Sequence, residues 1–144
     1  MYYDDHDRVI QSKSVSHLNG GVEKDYMAYN FIGQPTRHKH IHSATGKTTQ
    51  TELYSYTYDY ADRLQTTTHR LNNGPVMTLV NNEYDELGRL QRNRRNGQAN
   101  LHTSYTYNLR SWTESISCPL FCETLYYNDA RPNQTNTHYY NGNI

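Results

Sequence analysis

Three features predict an all-β chain, an antiparallel meander of hairpins forming an open, curved sheet. These are period-two runs rich in Tyr and Thr, Asn-Gly turn signals between them, and a recurring Tyr-Asp/Asn motif. In residues 48–60, Leu53 falls on one parity and Tyr54, Tyr56, Tyr58 and Tyr60 on the other, the alternation of a strand. Residues 76–84 and 101–107 read the same way, and no segment carries a useful i, i+3, i+4, i+7 apolar stripe. Composition agrees: 144 residues contain 15 Tyr, while Leu, Ile, Val and Phe together number 23. So few aliphatics predict a thin core, and Tyr and Thr are residues of pleated surfaces.

Along the chain the motif reads Tyr, Asp or Asn, two variable residues, a Gly or polar residue, then often Arg or Gln. It opens with Tyr3, Asp4 and Arg8 and returns with Tyr29, Asn30 and Gly33. Tyr58, Asp59 and Arg63 follow, then Tyr84, Asp85, Gly88 and Arg89. Tyr107-Asn108 opens a looser copy, while Tyr127-Asn128 and Tyr140-Asn141 keep only the first positions. The Tyr-to-Tyr intervals are 26, 29, 26, 23, 20 and 13 residues, too variable for a strict-length solenoid. A second turn signal lies inside each of the first five intervals: Gly20, Gly46, Gly74, Gly97 and Cys118-Pro119. Asn-Gly favours tight hairpins because it tolerates positive φ. Each unit is therefore arm, turn, arm, turn, giving ten or eleven strands of about 7–10 residues. In the motif turn, the Asp or Asn oxygen is expected to accept backbone N–H groups. Gly at the fifth position tolerates positive φ, and Asp7 and Asp62, which replace it in two copies, are an allowed but poorer choice; the Tyr ring is expected to pack beside a neighbouring Tyr, and the Arg to pair with the Asp of an adjacent unit.

The 14 basic and 14 acidic side chains cancel, offering no global field for nucleic acid. No run approaches the roughly 20 apolar residues of a membrane helix, and residues 1–20 lack the pattern of a signal peptide.

Tyr84-Asp85-Glu86-Leu87-Gly88-Arg89-Leu90 resembles a consensus YD repeat of the Rhs family, and residues 3–144 resemble a run of such repeats. The resemblance implies a segment of a β-shell. In bacterial members of the family the shell encloses a C-terminal toxin; animal teneurins use a related shell as a cell-surface scaffold. The implied role is a non-enzymatic scaffold of an extracellular or cell-surface protein, with neighbouring repeats or an encapsulated toxin domain as partners. The chain looks like a fragment of such a shell, since it starts and ends within repeats and lacks the family's self-cleaving core segment. About eleven strands are too few to close around a domain, so an open sheet with unpaired edges near 1–16 and 128–144 is expected, and open edges template association.

Other candidates are weaker. His38, His40 and His42 share one strand face, but residues two apart on a strand are about 6.6–7 Å apart, loose for one metal ion. A solvated polar face is expected, with no cofactor. Cys118 and Cys122 have neither redox nor zinc spacing; only a tight turn at Pro119 would bring them together. Thr45-Gly46-Lys47 lacks the first Gly of a phosphate loop and reads as a hairpin turn. Arg89, Arg92, Arg94 and Arg95 read as exposed charges, and Asn133-Gln134-Thr135 matches a glycosylation sequon. No nucleophile–base grouping is evident. The rival function is a surface carbohydrate-binding module that uses rows such as Tyr54, Tyr56 and Tyr58 to stack a glycan.

Overall fold

The computed structural model describes residues 1–98, 100–127, 132 and 141–142. Among them there is no helix. Eleven strands follow one another: β1 Tyr2–Tyr3, β2 Val9–Val15, β3 Val22–Tyr29, β4 Pro35–Ser43, β5 Gln50–Tyr58, β6 Leu64–Leu71, β7 Met77–Tyr84, β8 Leu90–Arg95, β9 His102–Tyr107, β10 Thr113–Cys118 and β11 Phe121–Thr124. Their order in the sheet is their order in sequence, so the architecture is an antiparallel meander that does not close into a barrel. The chain divides into two compact units, Met1–Asn81 and Asn82–Ile144. β4 and β5 reach the expected length at 9 residues, whereas β1 has 2, β11 has 4, and β8, β9 and β10 have 6 each. The 48–60 run keeps 50–58 as strand: 48–49 belong to the irregular β4–β5 connection, and Tyr60 lies in a turn and is 95% exposed.

No described apolar side chain is buried, and the buried polar one is Thr67. Hydrophobic burial therefore contributes little, and the sheet relies on its ladders, cross-strand pairs and turns. In the first unit the register assigns the two faces. Ser12, Asp25, His40 and Glu52 lie in line across β2 to β5, as do Met27, His38, Tyr54 and His69 across β3 to β6. The opposite face carries the alternate residues, including Lys13, Lys24, Arg37, Lys39 and Arg70.

Turns fall where glycine and asparagine predict, with one difference. Asn96 and Gly97 both have positive φ, 53° and 61°, the pair a tight primed turn needs. At Asn73-Gly74 the left-handed residue is instead Asn72, at φ 52°, and Gly74 N–H donates to Leu71 O at 2.9 Å. The turn has moved one residue back because Asn72 also tolerates this region, while Pro75 follows Gly74 directly. Gly20 and Gly46 have φ of 63° and 70° in the β2–β3 and β4–β5 connections. Pro119 and Leu120 form a two-residue link between β10 and β11. Cys118 stands opposite Phe121 and Ser117 opposite Cys122. The two cysteines therefore point to opposite faces, and both are free thiols.

Candidate functional site

The motif builds the same turn five times. The Asp or Asn N–H donates to the carbonyl four residues on: Asp4 to Arg8, Asn30 to Gln34, Asp59 to Arg63, Asp85 to Arg89 and Asn108 to Trp112, at 2.9–3.0 Å. Its own carbonyl accepts from the residue three on, which is always left-handed. These residues are Asp7 (φ 59°), Gly33 (91°), Asp62 (61°), Gly88 (84°) and Ser111 (62°). This is a three-residue hairpin loop with a left-handed last residue. Ladder register shifts accompany it at Tyr3, Tyr29 and Tyr58.

Side chains lock the loop. Asp4 Oδ1 accepts from the N–H groups of His6 and Arg8, Asp59 Oδ1 from Ala61 and Arg63, and Asp85 Oδ1 from Leu87 and Arg89. The second oxygen of each accepts from Nε of Arg8, Arg63 or Arg89 at 2.7 Å. The Arg thus pairs with the Asp of its own unit, not an adjacent one, because four residues around a tight loop bring the two together. Asn30 does the same neutrally, donating Nδ2–H to Gln34 Oε1. Burial pushes the Asp4 and Asp85 carboxyls up, but hydrogen bonds from Arg8 and Arg89 outweigh it and leave both below the usual range. Asp59 is lowered chiefly by its Arg63 hydrogen bond.

Four motif tyrosines each tie their strand to the preceding turn. Their hydroxyls donate to the carbonyl just after the previous turn: Tyr29 to Val9, Tyr58 to Pro35, Tyr107 to Leu90 and Tyr127 to Thr113, at 2.7–3.0 Å. The rings of Tyr29, Tyr107 and Tyr127 rest against Arg or Trp rather than on a neighbouring Tyr. Arg8 lies over the Tyr29 ring at 4.9 Å and Arg89 over Tyr107 at 4.7 Å. Trp112 takes the place of Arg in the fifth turn and packs against Tyr127, centroids 5.1 Å apart. Gln34 instead reaches the next turn itself, donating to Asp62 O at 2.7 Å. Gly142, at φ 93°, lies against Trp112. Asn128 and Tyr140, with the Asn133 sequon, fall outside the described residues.

The HKHIH strand is not a bare solvated face. β3 supplies Glu23 and Asp25 as partners that sequence distance conceals. Acids and imidazoles alternate as His42, Glu23, His40, Asp25, His38. His38 Nε2 is 2.9 Å from Asp25 Oδ1, His40 Nδ1 is 2.8 Å from the same oxygen, and His42 Nδ1 bonds Glu23 Oε1. His40 Nε2 lies at ion-pair distance, 3.1 Å, from Glu23 Oε2, an oxygen shielded from solvent that accepts no hydrogen bond. Both His40 nitrogens thus face carboxylates, which suits the imidazolium, a donor at both positions. The Asp25 hydrogen bond raises the His40 pKa against an opposing effect of burial. On Asp25 burial acts upward, and hydrogen bonds from His40, His38 and Ser12 more than reverse it. Tyr54 continues the cluster: it donates to Glu52 at 3.0 Å and its ring stands 4.6 Å from that of His69. Among the described residues no group of three or more His, Cys, Asp or Glu is arranged to hold a metal ion. The imidazole nitrogens are aimed at interleaved carboxylates rather than at a common point.

Of Arg89, Arg92, Arg94 and Arg95, the first three are also paired. Arg92 and Arg94 reach the two oxygens of Glu83 at 3.1 and 2.8 Å, and Arg89 is held by Asp85.

Comparison with known proteins finds no family model that matches the chain and no curated protein that matches it.

Proposed function

We propose that this chain is a non-enzymatic structural scaffold, a run of YD-type repeats of the Rhs kind serving as a segment of a larger β-shell in a secreted or surface protein. The observation that carries this reading is the repeated interlock. Tyr29, Tyr58, Tyr107 and Tyr127 each seal the backbone just after the preceding turn, so in these repeats one unit is completed by the next. A sheet with no buried apolar side chain among the described residues gains its order from such neighbours, as repeat arrays do. Neighbouring repeats, and a toxin domain enclosed by a complete shell, are the partners this reading assigns. The rival glycan platform on the tyrosine face is less favoured, because Tyr58 donates to Pro35 O and Tyr54 is held between Glu52 and His69.

Sedimentation and thermal melts test the scaffold role. The isolated chain is expected to self-associate through its edge strands, with a concentration-dependent Tm, and to gain stability when further repeats are fused to it. A concentration-independent monomer unaffected by added repeats, with its terminal strands protected from hydrogen exchange, would refute the reading. Glycan binding that vanishes in folded Tyr54→Ala and Tyr56→Ala variants would favour the rival.

A further inference from the structure

We infer that the face of Met1–Asn81 opposite the histidines binds an anionic polysaccharide. Zero net charge conceals a separation of charge between the two faces. Within strands β2 to β6 the carboxylates Glu23, Asp25 and Glu52 stand on the histidine face, while Lys13, Lys24, Arg37, Lys39 and Arg70 stand on the other. The remaining acidic groups of this unit lie in the turns at 4–7 and 59–62.

None of those five cations forms an ion pair with a described residue. Lys13 and Lys24 are directly opposed across β2 and β3, a like-charge pairing that costs stability unless a counter-charge is present. Arg70 Nε is shielded from solvent and makes no hydrogen bond. With Lys39, Leu53 and Thr51 it lines a hollow of about 320 Å³ beside Asn72 and Asn73. The cations run as a diagonal band from β2 to β6, roughly 19 Å wide at about 4.8 Å per strand.

The occupant follows from the chemistry between the charges. Hydroxyls of Thr51, Ser55 and Thr68 share this face and suit sugar hydroxyls. Its aromatic residue in the band is Tyr26, opposite Lys39, which offers one ring for a sugar but no ladder for successive bases. A second copy of the chain is a poor occupant, because the carboxylates Glu23 and Asp25 that it would present are already held by His38, His40 and His42. An extended polymer bearing sulfate or carboxylate groups meets both the charge and the hydroxyls.

Fluorescence anisotropy on the full chain tests this, with four labelled probes: a sulfated heparin-type dodecasaccharide, an oligogalacturonate, a neutral dextran oligomer and single-stranded oligo(dT). The two acidic sugars are expected to bind and the dextran not, with affinity falling about tenfold or more between about 50 and 200 mM salt. Lys24→Gln with Lys39→Gln should weaken binding about tenfold. Lys24→Arg with Lys39→Arg should retain it within about twofold, and Lys47→Gln, in the β4–β5 turn, should leave it unchanged. Lys13→Gln, at an exposed site, gives a second test should the Gln pair fail to fold, and is expected to weaken binding about threefold. Equal binding of dextran, tighter binding of oligo(dT) than of either acidic sugar, or unchanged binding by the folded Gln variants overturns the inference.

Discussion

Removing one hydroxyl from the interlock isolates its contribution. Tyr107→Phe deletes the 2.7 Å hydrogen bond to Leu90 O but keeps the ring under Arg89. A net hydrogen bond contributes about 1 kcal/mol, and leaving the Leu90 carbonyl unsatisfied in a partly enclosed position keeps the loss near that value. For a chain of this length that is a fall of roughly 3–5 °C in Tm. Tyr107→Ala also removes the cation–π contact, about 0.5–1 kcal/mol, and half-buried ring area of about 1 kcal/mol, for a total of roughly 2–3 kcal/mol. Tyr56→Phe is the control, because that hydroxyl makes no hydrogen bond to a described residue; its Tm should move by less than about 1–2 °C. Differential scanning calorimetry with urea titration reads all three. If Tyr107→Phe matches wild type, or Tyr56→Phe costs as much, the interlock does not stabilise the array as argued.

Asp62→Gly relieves a left-handed aspartate at φ 61° and is expected to raise Tm slightly, while Gly88→Val, at φ 84°, lowers it by several degrees; a matched loss in both would show that the fifth position is chosen for its side chain. The raised His40 pKa makes its contribution full below about 6.5 and lost as pH rises through the higher folded value; the lowered Asp25 pKa makes its share present above about 4 and lost as pH falls. The Tm difference between wild type and His40→Gln should therefore be largest between about pH 4 and 6.5 and shrink above neutrality, and a difference that grows toward alkaline pH contradicts this. Asp4, Asp59 and Asp85, all held low, predict a further loss of stability below about pH 4, which a triple Asn variant should flatten in acid melts. Thiol titration should find two reactive cysteines, with Tm indifferent to reductant.

Much of the fold is local and was therefore legible in the residues. Alternation in 48–60 sets a strand because side chains leave a pleated backbone on opposite sides, whatever lies beyond it. The motif sets a turn because four consecutive residues contain both the left-handed position and the Asp or Asn that caps it; Asp7 and Asp62 were legible as stand-ins for Gly at that position, whereas Ser111 in the looser fifth copy was not. The partners of those residues were not legible. Arg89 has Asp85 within its own loop and Tyr107 in the next, and only the register of β8 against β9 determines where that ring comes to rest. The HKHIH strand shows parity but not what stands beside it: Glu23 and Asp25 are at least 13 residues from the histidines they bond, and a one-residue slip between β3 and β4 would send them to the other face. The same register turns a neutral composition into a basic face backed by a histidine–carboxylate one. Sequence by itself determined the strands and turns, because both arise from neighbours along the chain; tertiary structure alone decided which charges meet, because pairing is set across strands.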